Sequence, residues 1–208
     1  KYLKKIKEFE ESAYTVLIVA EGKNVIGVIG VADAIKEDSA KAIKELNKMG
    51  FRTVMITGDN EATAKAIAAQ VGIKNVLANT MPEDKSKKVK ELQRRGFVAF
   101  VGDGINDAPA LKQANVGIAM GTGTDIAIES GGIGLAKGSL MGVVQAIRLS
   151  RATFSKIKQN LFWAFFYNVI AIPLAVGGVL NPVVAELAMA LSSITVISNA
   201  NLLRRKRI

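Results

Sequence analysis

Three short polar segments of this sequence contain residue types that could together bind a phosphate group and a metal ion. The first is Thr57-Gly58-Asp59-Asn60, which follows an apolar run and precedes a helical pattern. A hydroxyl and free backbone N–H groups at the start of a helix suit a phosphate oxygen. The same residue types also form ordinary helix-capping turns, so this segment alone leaves both interpretations open.

The second segment adds a positive charge. Lys85 follows Met81-Pro82-Glu83-Asp84 and lies in the first turn of a predicted helix. A cation at that position opposes the helix dipole, which mildly favours a ligand role for the lysine. Taken singly, however, Lys85 is better explained as a solvated surface lysine.

The third segment contributes carboxylates. Asp103 and Asp107 lie four residues apart on a turn relieved by glycine, with Asn106 between them. Two carboxylates at this spacing can converge on one Mg²⁺, which prefers one or two carboxylates together with phosphate oxygens and water. Plain turn chemistry is the alternative for each residue, but the run from 101 to 111 is too specific for a turn alone.

The elements that must position these segments follow an alternating pattern. Strands are predicted over 52–57, 75–78, 97–102 and 116–120, and helices over 40–49, 61–71, 83–95 and 108–113. Alternating strands and helices with short connections predict an α/β fold with a parallel sheet covered on both faces. Ligands of such sheets bind beyond the carboxyl ends of the strands, where two of the three segments begin.

The flanking regions carry weaker signals. A charged amphipathic helix is predicted over 1–12, followed by a hairpin of strands over 15–20 and 25–31. Asp38-Ser39 is predicted to cap the helix over 40–49. The stretch over 130–140 contains four glycines and is predicted to be a loop.

The composition excludes several classes of protein. The 208 residues are 50% hydrophobic and 22% charged, with a net charge of +10, a mean hydropathy of +0.26, and neither Cys nor His. The apolar share excludes disorder for the chain as a whole. Disulfides, Cys/His zinc sites and catalytic Cys or His are excluded as well.

Two apolar runs, over 161–180 and 183–203, predict a hairpin of membrane-spanning helices. The first run has 20 residues without a charge and reaches about 30 Å as a helix, the thickness of a bilayer core. Basic residues flank the hairpin but none lies inside it, so both ends and the soluble part are expected in the cytoplasm of a multi-pass cell-membrane protein. The alternative is a buried helix pair whose basic tail binds nucleic acid, but no aromatic residues interleave with the basic ones. Membrane lipid is therefore expected as a partner, and nucleic acid is not.

The motifs TGDN (57–60), PEDK (82–85), VGDGINDAPAL (101–111) and GTGTDIAIES (121–130) resemble the second half of the phosphorylation domain of heavy-metal P-type ATPases. The resemblance implies a haloacid-dehalogenase-like fold with Mg²⁺ and ATP as cofactors. It implies that Thr57 binds the phosphoryl group within a loop completed by Gly58 and Asp59, and that Lys85 neutralises its charge. Asn106 would contact phosphate or its water, and Asp103 and Asp107 would hold Mg²⁺.

The resemblance also implies how the chain divides. Residues 1–20 would end a nucleotide-binding domain, 21–147 would form the C-terminal half of a phosphorylation domain, and 148–208 would form two C-terminal transmembrane helices. The family's DKTGT motif, with the phosphorylated Asp, does not occur in the sequence. The chain is therefore expected to be a C-terminal fragment, with the rest of the same transporter and a metallochaperone as partners.

The two predicted spans contain residues that could bind a soft metal ion: Tyr167, Asn168, Met189 and Ser193. Polar groups inside a membrane often mark a pathway, although Ser and Asn also serve in helix packing. A thioether selects monovalent copper or silver, and YN followed by MALSS resembles the copper/silver class, so Cu⁺ or Ag⁺ is the expected cargo.

Other functions stay open at this stage. One is a fragment of a zinc/cadmium P-type ATPase, although that class carries an Asp that both spans lack. Another is a catalytically inactive, membrane-anchored remnant with a structural or regulatory role. A soluble dehalogenase-like phosphatase would need its own nucleophilic Asp near the N-terminus and no membrane spans.

Overall fold

The computed structural model describes residues 2–12, 14–31, 34–102, 105–121, 132–178 and 181–205. These residues belong to two compact units, Lys1–Val144 and Gln145–Ile208. Asp103 and all of the predicted motif over 121–130 except Gly121 lie outside the described residues. The proposed domain boundaries at 20/21 and 147/148 stay predictions.

The first unit begins with a helix packed on a hairpin. Helix α1 (Tyr2–Glu11) is followed by antiparallel strands β1 (Thr15–Glu21) and β2 (Asn24–Val31), as predicted. The turn between the strands uses Gly22 at a φ of +60°. Gly30 packs closely against two aromatic rings, because a Cβ there would lie 3.1 Å from the Tyr14 ring and 3.3 Å from Phe9.

Strands and helices then alternate through the rest of the first unit. They are α2 (Ser39–Lys48), β3 (Val54–Ile56), α3 (Glu61–Val71), β4 (Asn75–Leu77), α4 (Pro82–Gln93), β5 (Ala99–Gly102), α5 (Ala108–Gln113), β6 (Val116–Met120) and β7 (Ile133–Leu135). Strand β3 pairs in parallel with β4, and β6 pairs in parallel with both β5 and β7. The predicted parallel α/β architecture is confirmed.

Apolar residues at helical spacing explain why the helices pack against the strands. Helix α2 buries Ala42, Ile43 and Leu46, and α3 buries a face of mostly small residues. Strand β6 lies between two partners, and its residues 117–120 are all buried. Such a strand is expected to be continuously apolar rather than alternating, as this one is.

Two local predictions are wrong. The stretch over 130–140 was predicted to be a loop but contains β7. Gly121, which follows β6, allows the chain to pack closely against the end of β7, because a Cβ on Gly121 would lie 2.2 Å from the Leu135 carbonyl oxygen. Asp38 precedes α2, but its side chain does not cap that helix. The carboxylate instead accepts hydrogen bonds from Ser139 and from the backbone of Met141.

The second unit consists of two long helices. Helix α6 (Met141–Val176) begins in the first unit, 20 residues before the predicted apolar run, and contains Pro173. Helix α7 (Pro182–Asn201) is capped by Asn181, whose side chain accepts from the backbone N–H of Val183 at 2.9 Å. A 3₁₀ turn, Leu202–Arg205, follows. Both helices are long and apolar enough to cross a membrane.

Polar contacts join α6 to α7 as an antiparallel pair, which confirms the predicted hairpin. The Asn199 amide donates to the side-chain oxygen of Asn160 at 2.7 Å and accepts from Lys156 at 2.6 Å. The Tyr167 and Thr195 hydroxyls lie 3.5 Å apart. Large apolar side chains on both helices point outward, which suits lipid better than water because soluble surfaces rarely expose such continuous apolar area.

Candidate functional site

The loop after β3 places the predicted phosphate-binding residues at the end of a strand. The Thr57 hydroxyl donates to the Asp59 carboxylate at 2.7 Å and accepts from the Asp59 backbone N–H at 3.2 Å. Asn60 caps α3, since its side-chain oxygen accepts from the backbone N–H of Thr63 at 2.9 Å. Asn60 is therefore the residue that caps α3, and Thr57 and Gly58 do not cap it.

This loop is hydrogen-bonded to the loop that follows β4. The backbone N–H of Thr80 donates to the Thr57 carbonyl at 2.9 Å, and that of Asn79 donates to the Asp59 carbonyl at 2.8 Å. Asn79 adopts a φ of +50°, which a short polar residue tolerates. Thr80 is buried, and its hydroxyl donates to the Leu77 and Ala78 carbonyls at 3.2 and 3.3 Å. Thr57 is thereby fixed beside the residues that lead into α4.

Lys85, in the first turn of α4, forms an ion pair across the unit. Its ammonium nitrogen lies 2.8 Å from an Asp107 carboxylate oxygen, and the two side chains are only 19% and 11% exposed. The interpretation of Lys85 as a solvated surface lysine is therefore wrong. Its neighbour Asp84 faces solvent, where the hydrogen bond and charge of Lys87 lower the pKa of the Asp84 carboxyl.

Asp107 occupies a crowded position after β5. It ends a 3₁₀ turn, Ile105–Asp107, and precedes α5. A Cβ added to Gly102 would lie 2.7 Å from both the Cβ and a carboxylate oxygen of Asp107. The glycine that ends β5 is therefore required because the carboxylate packs directly against its backbone.

The three motifs are thus joined by one series of contacts. Thr57 is bonded to Thr80, Thr80 is followed by α4, and Lys85 on α4 is paired with Asp107 after β5. Asn106 is exposed on the turn that ends at Asp107. Thr80 was not predicted, although a threonine between a strand end and Met81-Pro82 was a usable signal.

The oxygen donors of this site suit magnesium. Within the described ranges, no three Asp or Glu side chains lie close enough together to hold a metal ion. Asp107 contributes one carboxylate, and Asp103, four residues before it, lies outside the described residues. Hard oxygen donors fit Mg²⁺, which needs only one or two carboxylates beside phosphate oxygens and water.

The four residues predicted to bind the transported ion lie on the two long helices. Met189 and Ser193 are one turn apart on α7, where the Ser193 hydroxyl donates to the Met189 carbonyl at 3.2 Å. Asn168 donates to the Ala164 carbonyl of its own helix at 2.9 Å. The hydrogen bonds of the described helices do not join the α6 pair to the α7 pair. Tyr167 instead contacts Thr195, a residue that is not among the four predicted ones.

Comparison with known protein families identifies the first unit. A family model for haloacid dehalogenase-like hydrolases matches residues 1–115, just over half of the chain.

Curated relatives match nearly the whole chain. The protein named "Probable copper-exporting P-type ATPase V" in Mycobacterium tuberculosis is 55% identical over 95% of the chain and 26% of its own length. A copper-exporting P-type ATPase of Staphylococcus haemolyticus is 50% identical over 98% of the chain and 26% of its own length. The chain therefore spans about a quarter of the length of these relatives.

A solved structure also matches nearly the whole chain. The crystal structure of a zinc-transporting PIB-type ATPase in its E2.Pi state superposes with a TM-score of 0.84 at 40% identity. The match covers 97% of this chain and 33% of that one.

Proposed function

Because the chain belongs to the haloacid dehalogenase-like hydrolase family and, within it, to the heavy-metal P-type ATPases, we propose that it is the C-terminal part of an ATP-driven exporter of monovalent copper. The observation that carries the proposal is the series of contacts from Thr57 through Thr80 and α4 to the Lys85–Asp107 pair. These contacts bring together, beyond the ends of β3, β4 and β5, the residue types that phosphoryl transfer needs.

In the proposed cycle, a carboxylate elsewhere in the complete protein accepts the phosphoryl group of ATP, and water later hydrolyses the acyl phosphate. Residues of this chain position and neutralise that group. The Thr57 hydroxyl would turn its proton from Asp59 toward a phosphoryl oxygen, while Gly58 leaves room for the group to approach. Asp59 would keep the hydroxyl oriented between turnovers. Asn106, exposed on the neighbouring turn, would contact phosphate or its water.

Lys85 supplies the positive charge in this proposal. Its ammonium is held by Asp107 in a setting from which most water is excluded, where charge interactions are stronger than in bulk water. Bound at Asp103 and Asp107, Mg²⁺ would supply further positive charge to the phosphate oxygens. The lysine is preorganised, so little rearrangement is needed as the charge develops.

The transported ion would bind to polar and thioether side chains of the two long helices. Met189 offers a soft thioether and Ser193, Tyr167 and Asn168 offer neighbouring polar groups, a set that suits Cu⁺ or Ag⁺. The relatives at 55% and 50% identity are named as copper exporters. A zinc/cadmium exporter is the second candidate, because the matching solved structure is that of an ATPase named as zinc-transporting. Against it, residues 161–203 contain no Asp.

We place both ends and the first unit in the cytoplasm, on the evidence of the basic residues that flank the hairpin. The expected partners are membrane lipid, the remaining part of the same transporter and a metallochaperone. Nucleic acid is not expected as a partner.

Metal-stimulated ATP hydrolysis by the complete protein, purified with this chain intact, tests the function. Cu⁺ and Ag⁺ should each stimulate hydrolysis and Zn²⁺ should not. Stimulation by Zn²⁺ without stimulation by Cu⁺ would refute copper export and support the zinc/cadmium alternative. Absence of any phosphoenzyme in the presence of ATP would refute the P-type cycle itself.

A further inference from the structure

Asp38 connects two segments that lie far apart in the sequence. One of its carboxylate oxygens accepts from the Ser139 hydroxyl at 2.5 Å and from the Met141 backbone N–H at 3.0 Å. Asp38 immediately precedes α2, whereas Ser139 and Met141 lie at the start of α6. The beginnings of these two helices are therefore attached to each other by one side chain.

A neighbouring lysine strengthens the attachment. The Lys36 ammonium donates to the Gly138 carbonyl at 2.7 Å. A Cβ at Gly138 would lie 3.1 Å from that nitrogen, so the small residue permits the approach. Lys36 and Asp38 together hold residues 138–141 through three hydrogen bonds.

The carboxylate satisfies a specific need of α6. The first backbone N–H groups of a helix have no partner within the helix, and a negative charge there interacts favourably with the helix dipole. The Asp38 side chain provides α6 with a hydrogen-bond acceptor and a negative charge, although it belongs to another segment. The Asp38 backbone carbonyl accepts from the Ala42 N–H at 2.8 Å, which is the first hydrogen bond of α2. The hydrogen bonds from Ser139 and Met141 also lower the pKa of the Asp38 carboxyl, which keeps it charged at neutral pH.

The two helices lead to the two functional regions. Helix α2 runs into β3, and β3 ends immediately before Thr57. Helix α6 is continuous from Met141 to Val176 and includes Tyr167 and Asn168. The Asp38 carboxylate therefore lies where the chain that carries the phosphate loop meets the helix that carries two of the proposed copper ligands.

We propose that Asp38 is a positioning residue that couples phosphoryl transfer to ion transport by fixing the first turn of α6 to the start of α2. This inference rests on the proposed function and concerns its coupling step. A movement of β3 and α2 during phosphorylation reaches α6 through these hydrogen bonds, because hydrogen-bonded contacts between rigid elements can carry coupling energy between sites. Without the carboxylate, the phosphoryl reaction drives transport less effectively.

The test compares Asp38→Ala with Glu37→Gln in the complete transporter. Glu37 is the adjacent acid and is exposed, and within the described part of the chain its side chain makes no hydrogen bond or ion pair. Phosphoenzyme formed from ATP and Cu⁺ uptake into sealed vesicles are measured on the same preparation. For Asp38→Ala we expect phosphoenzyme within about twofold of wild type and uptake lower by about tenfold, within the usual range of coupling between sites. Glu37→Gln should match wild type in both, and Ser139→Ala should lie between.

A second measurement examines the contact independently of activity. Hydrogen exchange at the Met141 backbone amide should accelerate in Asp38→Ala and stay unchanged in Glu37→Gln. Parallel loss of phosphoenzyme and uptake would show a purely structural role and overturn the inference. Unchanged uptake, unchanged exchange, or an equal defect in Glu37→Gln would overturn it as well. If the wild-type protein makes no phosphoenzyme, the proposed function itself is refuted. The wild-type measurement therefore separates failure of the proposed function from failure of the coupling inference.

Discussion

Lys85 and Asp107 form an ion pair of 2.8 Å between the first turn of α4 and the turn that follows β5. The residues are 22 positions apart, and both side chains are largely withdrawn from solvent. Removing one partner of such a pair leaves the other charge poorly solvated, so the pair affects stability as well as chemistry.

Replacing Lys85 by Met should reduce phosphoenzyme turnover strongly, because the charge that neutralises the phosphoryl group is lost. The unpaired Asp107 should also lower the free energy of unfolding by about 1–3 kcal/mol. Stopped-flow dephosphorylation and urea unfolding measure the two effects. Lys87→Met is the matched control, since Lys87 is 75% exposed on the same helix. Equal effects of the two substitutions would contradict the proposed role of Lys85.

Replacing Gly102 by Ala should displace the Asp107 carboxylate, because the new Cβ would lie 2.7 Å from it. We expect a stability loss of about 1–3 kcal/mol, typical of overpacking, and a marked loss of phosphoenzyme formation. Thermal unfolding and phosphorylation assays measure both. Gly27→Ala provides the control, since a Cβ there meets nothing within 4 Å. A fully active Gly102→Ala protein would show that Asp107 can move without consequence.

The Thr57 hydroxyl should be needed for its chemistry rather than for the fold. Thr57→Ala should lower the phosphorylation rate by about tenfold or more, the usual cost of removing one positioned hydrogen-bond donor. Thr57→Ser retains the hydroxyl and should restore most of the rate. Rapid-quench phosphorylation with ATP measures this, and an inactive Thr57→Ser variant would point to packing by the methyl group instead.

The Asp38 carboxyl should contribute stability that depends on pH. Its pKa in the folded protein is lowered, by the hydrogen bonds from Ser139 and Met141 first and by the charge of Lys36 to a smaller extent. For a lowered pKa, the stabilisation is fully present above the ordinary value of 3.8 and is lost as pH falls from there through the folded-state pKa. Urea unfolding of the chain in detergent should show a gap between wild type and Asp38→Asn that is constant at neutral pH and closes below pH 3.8. A gap that widens in acid would have the wrong sign for this contact.

Met189→Ala should weaken copper-dependent turnover far more than Mg²⁺-dependent phosphorylation from inorganic phosphate, because only the first reaction needs the thioether. Leu187→Ala, also exposed on α7, controls for lost apolar surface. A parallel loss of both activities would assign Met189 to helix packing. Steady-state hydrolysis at several Cu⁺ concentrations and phosphorylation by labelled phosphate provide the comparison.

Features set by nearby residues were predictable from the sequence. The run over 61–71 has small apolar residues at helical spacing between Asn60 and Gly72, and helix α3 has those bounds. Strand β6 is continuously apolar and was predicted to the residue. The three polar motifs were found because each follows a strand or starts a helix.

Features set by distant residues were not predictable. Lys85 resembled a surface lysine because its partner is 22 residues away. Asp38 was assigned to α2 because α2 is adjacent, whereas the hydrogen-bond donors that satisfy its carboxylate lie more than 100 residues later. Strand β7 has only three residues, one of them Gly134, and it pairs in parallel with β6, which is distant in the sequence pattern.

The length of α6 has a mechanical consequence. Tyr167 follows Met141 by 26 positions of one continuous helix, so it lies about 39 Å along the axis at about 1.5 Å per residue. At that distance a tilt of about 3° at the first turn displaces Tyr167 by about 2 Å, comparable to the length of a metal–ligand bond. Helix α6 is therefore long enough to act as a lever arm, and a small angular change at its first turn, near the buried Val143 and Val144, would suffice to bring Tyr167, a proposed ligand, into or out of reach of an ion.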